Sequence, residues 1–431
     1  MKIDYNISLP IKYDVDVFVA GGGPAGVAAA VSAARQGADV FLAEASGSFG
    51  GAATRALVPA FMQFDDGINF LAGGIGKEVY EYIKNNASED FRDYCPGSIP
   101  VELLKLCYDD MVTKAGVKFE FFTQASDILK NGNSLSYAVC CAKGETYAVK
   151  AKVFIDCTGD GDIAFRAGAD YEQGDANGNT MAATLCALWN GIDWERVARP
   201  DNRCVEKAFE DGVFKVLDRH LPGMWPISKT TGGSNAGHVY GIDGTLSESL
   251  TRGMLEGRQQ LSEYRRYYRE YLSGFENAEL VISAELIGVR ETRRILGDYV
   301  LNLNDFINRA DFEDGIGRYA YPVDMHASDS SENEYKRFCE EYYKFSYEEG
   351  ESYAIPFRSL TVRGFNNLLT AGRCISTDRA MQASVRVMPC CYITGQAAGI
   401  AAAMAAERNL DVRKTDTKLL RKKLSDLGMY L

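Results

Sequence analysis

One spacing, Gly21-x-Gly23-x-x-Gly26, restricts the folds open to this chain more than any other feature, because of what flanks it. Val15 to Ala20 (VDVFVA) is a short β-branched apolar run of strand composition that stops at three glycines. Pro24 then occupies the first position of a helix, where its missing N–H costs nothing. Ala25 to Arg35 is nearly all Ala, Val and Ser, Gly37 ends it, and Asp39 to Ala43 follows as a second strand that stops at Glu44. Strand, turn, helix and strand within about thirty residues make a βαβ unit with parallel strands.

The three glycines have separate tasks in such a unit. Gly21 permits the tight turn, Gly23 lets the backbone approach a pyrophosphate, and Gly26 allows close helix–strand packing, while the helix dipole favours the anion. The pattern by itself also fits a tight turn without a ligand. Glu44 favours the ligand, because it lies 21 residues past Gly23 at a strand end, where a carboxylate suits a ribose diol. A simple nicotinamide enzyme would continue with further βα repeats. Here Gly50-Gly51 and Thr54 come within ten residues of Glu44, and a second strand–glycine end, Asn367 to Gly372, appears near the C-terminus. That arrangement suits a longer cofactor lying across the domain.

The remaining pattern divides the chain. Lys77–Lys84 and Ile99–Ala115 read as helices, Lys118–Phe122 and Ser136–Ala142 as a strand pair around the turn Asn131-Gly132-Asn133, and Val153–Cys157 as a buried strand. From about Gly168 to Tyr353 the glycine motifs thin and aromatic-rich helices appear. One of these opens on a capping box, Thr245 with Glu248, and runs to Leu272. Its RRYYREY stretch, Arg265–Tyr271, reads as a solvated helix face, and Ser331–Glu351 as an exposed helix or insertion. The cofactor-domain style then returns, with strand Asn367–Ala371, Gly372-Arg373, and a small-residue helix opened by Pro389. The expected architecture is α/β: a Rossmann-like dinucleotide domain (residues 1–167), an inserted α+β substrate domain (168–353), and a return segment with C-terminal helices (354–431).

Composition narrows the partners. With 47 Lys+Arg against 59 Asp+Glu the formal net charge is −12, which argues against broad contact with nucleic acid or anionic membrane. The 11 Cys are odd in number and include no CxxC pair, as expected of small apolar core residues in a reducing cytosol. The polar start MKIDYNISLP carries no apolar secretion segment, and no run reaches the ~20 apolar residues of a membrane span. A cytoplasmic protein is therefore expected. No His or Cys spacing suggests a metal site.

Taken together, the segments VDVFVAGGGPAGVAAAVSAARQGADVFLAEA, GSFGGAAT, VFIDCTGDGDIAFRAGA, GVRETRRILGDYVL and NLLTAGRCISTDRAMQASVRVMPCCYITGQAAGIAAA resemble the FAD-dependent oxidoreductases of the glutathione-reductase-like flavoprotein superfamily. They are akin to the flavoprotein subunits of fumarate reductase and succinate dehydrogenase. The resemblance implies that Gly21, Gly23, Pro24, Ala25 and Gly26 hold the FAD pyrophosphate, with Glu44 and Ala45 at the adenosine ribose. It further implies that Gly50, Gly51, Ala52 and Thr54 run beside the pyrophosphate and flavin side, and that Ala125 lies near the adenine. Thr158, Gly159 and Asp160 would form a second dinucleotide signature. Gly372 and Arg373 stand where many relatives carry Gly-Asp, and an arginine cannot accept a hydrogen bond from the ribityl chain. GSFGGAATRA supplies no His for covalent attachment, so noncovalent FAD is expected.

Candidates for the chemistry follow. Pro389 leaves free amides at the start of the last long helix, and Arg386 lies three residues earlier; together they suit the anionic edge of a reduced flavin. Arg290, Glu291, Arg293 and Arg294 interrupt an apolar run, so either Glu291 bridges arginines at a domain interface or Arg293 meets substrate. In an extended stretch Arg290 and Arg294 share one face and Arg293 the other. Of three histidines, His220 reads as surface, while His238 and His326 are each as consistent with a structural role as with a catalytic one. The expected function is hydride exchange between flavin and a small polar or carboxylate-bearing substrate. A partner-fed electron-transfer or hydroxylase-type flavoprotein is the alternative, and a non-catalytic nucleotide-binding protein a second. Sequence leaves the substrate, any redox partner and the oligomeric state open.

Overall fold

The computed structural model describes residues 3, 6–89, 91, 97–198, 202–218 and 223–431. His220 lies outside the described residues. The alternation of buried and exposed side chains ends early in the first strand, β1 (Ile11–Ala20), whose last four residues are all buried. Such a strand needs cover on both faces, as a parallel sheet provides. It pairs in parallel with β2 (Val40–Ala43) on one side and with β6 (Glu145–Asp156) on the other. Helix α1 (Pro24–Arg35) makes the crossover, and β3 (Lys118–Glu120) extends the sheet beyond β2, again in parallel.

The hairpin is built differently from the expected strand pair. β5 (Ser134–Ala142) pairs with β4 (Thr123–Asn131), while Lys118–Glu120 leaves for the far edge of the sheet. The Asn131-Gly132-Asn133 turn is where expected; the bend at Phe122, whose φ is +54°, ends the first strand, and β4, which the sequence pattern did not mark, begins after it. β6 carries two neighbours on one edge. Its first half pairs antiparallel with β5, and Phe154–Asp156 pairs in parallel with the strand Leu368–Thr370. The chain thus returns after more than two hundred residues to set Gly372 beside the end of β6. The C-terminal ends of β1, β2, β6 and Leu368–Thr370 lie on one edge, where open α/β sheets bind ligands.

The helix Met388–Arg408 is buried over its first nineteen residues and crosses α1 at very short range. A Cβ on Gly395 would fall 2.2 Å from the Ala25 carbonyl oxygen, and one on Gly399 2.1 Å from that of Ala29. Only glycine permits this approach. The short helix Arg379–Val385 precedes it at 94°. Among the described residues no single helix is long and apolar enough to cross a membrane; that bent pair has the length and composition, and it is core here.

A four-stranded antiparallel sheet forms the second body, in the order Glu279–Ser283, Ala187–Asn190, Thr231–Asn235, Gly223–Pro226. The helix Ser247–Tyr271 covers it. Tyr264, Tyr267 and Tyr268 turn inward around Trp189, whose ring meets Tyr268 edge-on at 5.2 Å. The arginines of the same stretch face out: Arg265 and Arg269 pair with Glu279, and Arg266 with Glu270. The capping box does not form. Leu246 is the N-cap, and the Thr245 hydroxyl donates to Asp243 instead. Leu301, Phe306, Ile316, Tyr319 and Tyr353 join the apolar core of the first sheet, whereas the core around Trp189 draws chiefly on residues 185–284.

Candidate functional site

The glycine turn is held by backbone. Gly21 has φ +91°, and a Cβ there would lie 2.7 Å from the Cys157 carbonyl oxygen; at Gly26 it would lie 1.7 Å from that of Gly21. At Gly23 the situation reverses: no atom stands within 4 Å of an added Cβ. The space beyond Gly23 belongs to an open cleft. Gly23 caps α1 without any side-chain bond, so the first amides of the helix face that cleft without an acceptor from a side chain. Glu44, 7% exposed, accepts from Gly22 N at 2.7 Å, Ser46 N at 2.7 Å and Ser46 Oγ at 2.5 Å. A carboxylate offers about four lone-pair positions, so one remains for a diol.

An uncapped helix N-terminus, a backbone without a Cβ and a carboxylate with spare capacity fit the pyrophosphate and adenosine ribose of a dinucleotide. The cleft gathers Gly21, Gly23, Pro24, Ala25, Glu44 and Ala45 on one side. Gly51, Ala52, Ala125, Thr158, Gly159, Gly372 and Arg373 complete its wall. Four other expected residues stand behind it. Gly26 is packed on Gly21, Gly50 donates to the Gly22 carbonyl, the Thr54 hydroxyl donates to the Phe49 carbonyl, and Pro389 is buried in the first turn of its helix. Arg373 packs across Gly159 and pairs with Asp160 at 2.5 Å. Under them, Asp156 accepts from Thr158 N, Thr158 Oγ1 and Ala164 N; burial pushes its carboxyl up to about 6 against those three donors.

The cleft opens into a second cavity of about 320 Å³ between the two sheets, with Gly51, Ala52, Thr158, Arg373, Arg386 and Met388 common to both walls. Arg290, Asp324, His326 and Arg386 face it from three separate segments, and Asp160, Glu285 and Arg373 line it as well. Arg290, 8% exposed, donates to the Ala182 carbonyl at 2.8 Å, Thr184 Oγ1 at 2.9 Å and Asn235 Oδ1 at 3.2 Å. Among the described residues no carboxylate lies within ion-pair distance of it. Burial, and after it the Arg386 charge, brings its guanidinium down to about 10, so it stays cationic at neutral pH. Arg386 pairs with Asp324 at 2.7 Å. Burial alone would raise the Asp324 carboxyl, but His326 and Arg386 hold it well below the usual carboxylate range.

His326 Nδ1 lies 3.0 Å from His238 Nε2, and His326 Nε2 lies 3.5 Å from Asp324 Oδ1. Burial, followed by Arg290, keeps His326 well below the ordinary imidazole range. His238 stands behind it, away from the cavity, with Nδ1 3.1 Å from Asp218 Oδ1.

The arginine cluster separates by position. Arg293 does not line the cavity: it donates to Asp162 at 2.9 Å and stacks 4.0 Å above the Phe165 ring. Glu291, fully buried, bridges Arg294 at 2.8 Å and Arg379 at 3.1 Å. Arg290 therefore takes the place at the cavity that the sequence suggested for Arg293. Of the other residues the structure adds, Asp324 was within reach of a sequence signal, the charged residue two before His326. Asp218 had none. Among the described residues no cluster of three His, Cys, Asp or Glu is placed to hold a metal ion.

Comparison with known proteins gives the family. No curated protein matches the chain. Among solved structures it is similar to a geranylgeranyl bacteriochlorophyll reductase-like protein of Thermoplasma acidophilum, with 13% identity, coverage of 96% of this chain and 84% of that one, and a TM-score of 0.48. It is also similar to a triple mutant of the flavin-dependent brominase Bmp2 (14%, 96% and 84%, 0.45) and to p-nitrophenol 4-monooxygenase of Pseudomonas putida (12%, 97% and 87%, 0.45). The sequence pattern of the FAD dependent oxidoreductases matches residues 16–424, nearly the whole chain, and the protein belongs to that family.

Proposed function

We propose that this enzyme exchanges an electron pair between FAD and a small carboxylate-bearing substrate held in the cavity between the two sheets. Its family makes it an oxidoreductase and sets aside the non-catalytic reading. FAD, when bound, supplies the two-electron chemistry. The turn at Gly21–Gly26, Glu44 and the Gly372–Arg373 segment would hold it, without a covalent link.

One observation carries the substrate class: Arg290 is a buried guanidinium that faces the cavity with neutral partners only. Buried cations ordinarily meet a carboxylate. The substrate would supply it, while the Ala182, Thr184 and Asn235 contacts fix the orientation of the fork. Arg386, tied to Asp324, closes the wall next to the cofactor cleft. His326 holds or gives a proton at its cavity side.

The test is a thermal-shift and flavin-absorbance screen of the FAD-loaded protein with small mono- and dicarboxylates, set beside neutral aromatic compounds. A carboxylate should bind, and Arg290→Met should weaken it by roughly 10–100-fold, the loss of a charge-assisted hydrogen bond of ~1.5–3 kcal/mol, with flavin content unchanged. Binding of neutral aromatics alone, with oxygen consumed as they are converted, would replace this reading by the hydroxylase-type one.

A further inference from the structure

We propose that Asp218, His238, His326 and Asp324 form a proton relay that carries protons between the substrate cavity and a separate set of hollows behind it. The proposal rests on the reading of that cavity as the site of redox chemistry. The geometry is a line of four groups from separate segments: Asp218 Oδ1 to His238 Nδ1 at 3.1 Å, His238 Nε2 to His326 Nδ1 at 3.0 Å, and His326 Nε2 to Asp324 Oδ1 at 3.5 Å. His326 faces the substrate cavity; Asp218 and His238 face two other hollows. The two rings therefore bridge spaces that are otherwise separate.

Counting protons shows what the line can hold. Three contacts need three N–H hydrogens, but two neutral imidazoles supply only two. With both rings neutral, one contact sets lone pairs against each other. With one added proton every contact is filled, and the carboxylate at each end faces an N–H. The Asp218–His238 contact is reinforced, since Asp218 Oδ2 also accepts from the His238 backbone amide at 3.0 Å. Transfer then balances without any other reagent. Protonated Asp218 gives its proton to His238 Nδ1, His238 releases the Nε2 proton to His326 Nδ1, and His326 passes its Nε2 proton into the cavity. Each ring gains one proton and loses one, and tautomer exchange resets it.

The surrounding charges decide where the added proton rests. His326 is faced by Arg290, Asp324 and Arg386. His238 is faced by Asp218, Asp329, Tyr240 and Tyr335 in one hollow, and by Lys215, Glu256, Glu263 and Tyr264 in the other. The cationic Arg290 opposes charge on His326, and with the cavity empty the line lacks the added proton. A carboxylate bound at Arg290 cancels that opposition, so the line takes up a proton through Asp218 and His238 that comes to rest on His326, next to the substrate that needs it.

The protein has only three histidines, so ¹⁵N-histidine NMR on the FAD-loaded enzyme reads the relay directly. In the wild type the nitrogens of His238 and His326 should titrate with a common midpoint, and separate midpoints would overturn the relay. Asp218→Asn, made at the bond to His238, should also shift the His326 nitrogens; unmoved His326 signals in the folded variant would overturn it too. Malonate added to weakly buffered enzyme with a pH indicator should cause uptake of about one proton, slowed at least tenfold in Asp218→Asn at unchanged malonate affinity. Binding without uptake, or uptake at the wild-type rate, would refute the forward movement. Failure of malonate to bind, with coupled histidine titration intact, would count against the carboxylate site and leave the relay standing.

Discussion

Replacing Glu44 by Gln separates two tasks that one carboxylate performs. Its oxygens accept three bonds inside the protein, two of them at Oε1 from Ser46 and one at Oε2 from Gly22 N. A glutamine must place an NH₂ at one of these positions. The lesser loss points it at Gly22, which faces a buried donor with another donor and leaves that N–H unmet. One charge-assisted bond, ~1.5–3 kcal/mol, is lost and two others fall toward neutral strength, so the apo-protein should lose about 2–4 kcal/mol. With an unfolding entropy of ~2.1 cal/mol/K per residue, a chain of this length shifts by about 1 °C per kcal/mol, which makes the expected drop in Tm about 2–4 °C. FAD affinity, measured by flavin fluorescence, should fall by roughly 10–100-fold, since the turn loosens and the ribose loses a charged partner. An unchanged apo Tm with weakened FAD would show that Glu44 serves the ribose alone. Unchanged values of both would refute the account of the turn.

Two further substitutions probe other parts of the site. Gly399→Ala should cost ~1–3 kcal/mol by overpacking against the Ala29 carbonyl and should also weaken FAD, because α1 must move; calorimetry with an FAD titration checks it, and an unchanged Tm would mean the helices have slack. Arg386→Met removes the cation that, with His326, holds the Asp324 carboxyl low. A depressed carboxyl adds stability above its ordinary pKa of ~3.9 and loses it as pH falls through the folded value, so weakening the depression should move the acid-unfolding limb to higher pH. An acid limb that stays in place would show that His326 alone sets Asp324.

The cofactor half of the site was legible because its constraints are local. Gly21, Gly23, Gly26 and Glu44 act through backbone geometry within one βαβ unit, and Pro389 with Gly395 and Gly399 signals a close-packed helix start within a dozen residues. The chemistry-bearing half is assembled from distance. His238 meets His326 across 88 residues, and nothing in the local pattern around Asp218 announces a partner. The arginine cluster misled for a different reason. Alternating faces presuppose an extended strand, yet only Arg293–Ile295 is one, and Arg290 precedes it in irregular chain where period two does not apply. β4 went unmarked in the pattern as well, because it starts only after a left-handed bend at Phe122.

The crossing of α1 with the helix Met388–Arg408 also has a consequence for biosynthesis. The two partners lie some 350 residues apart in the chain, so at ~5–20 residues per second the first helix waits roughly 20–70 s on the ribosome before its cover exists. During that interval the Ala-rich face of α1 and the outer edge of β6 lack their native neighbours. The nascent glycine turn therefore has no finished cleft to offer, and cofactor capture waits until the helix Met388–Arg408 has been made. Premature termination anywhere before the helix Met388–Arg408 should yield a product that takes up no flavin and exposes an apolar surface to chaperones and proteases.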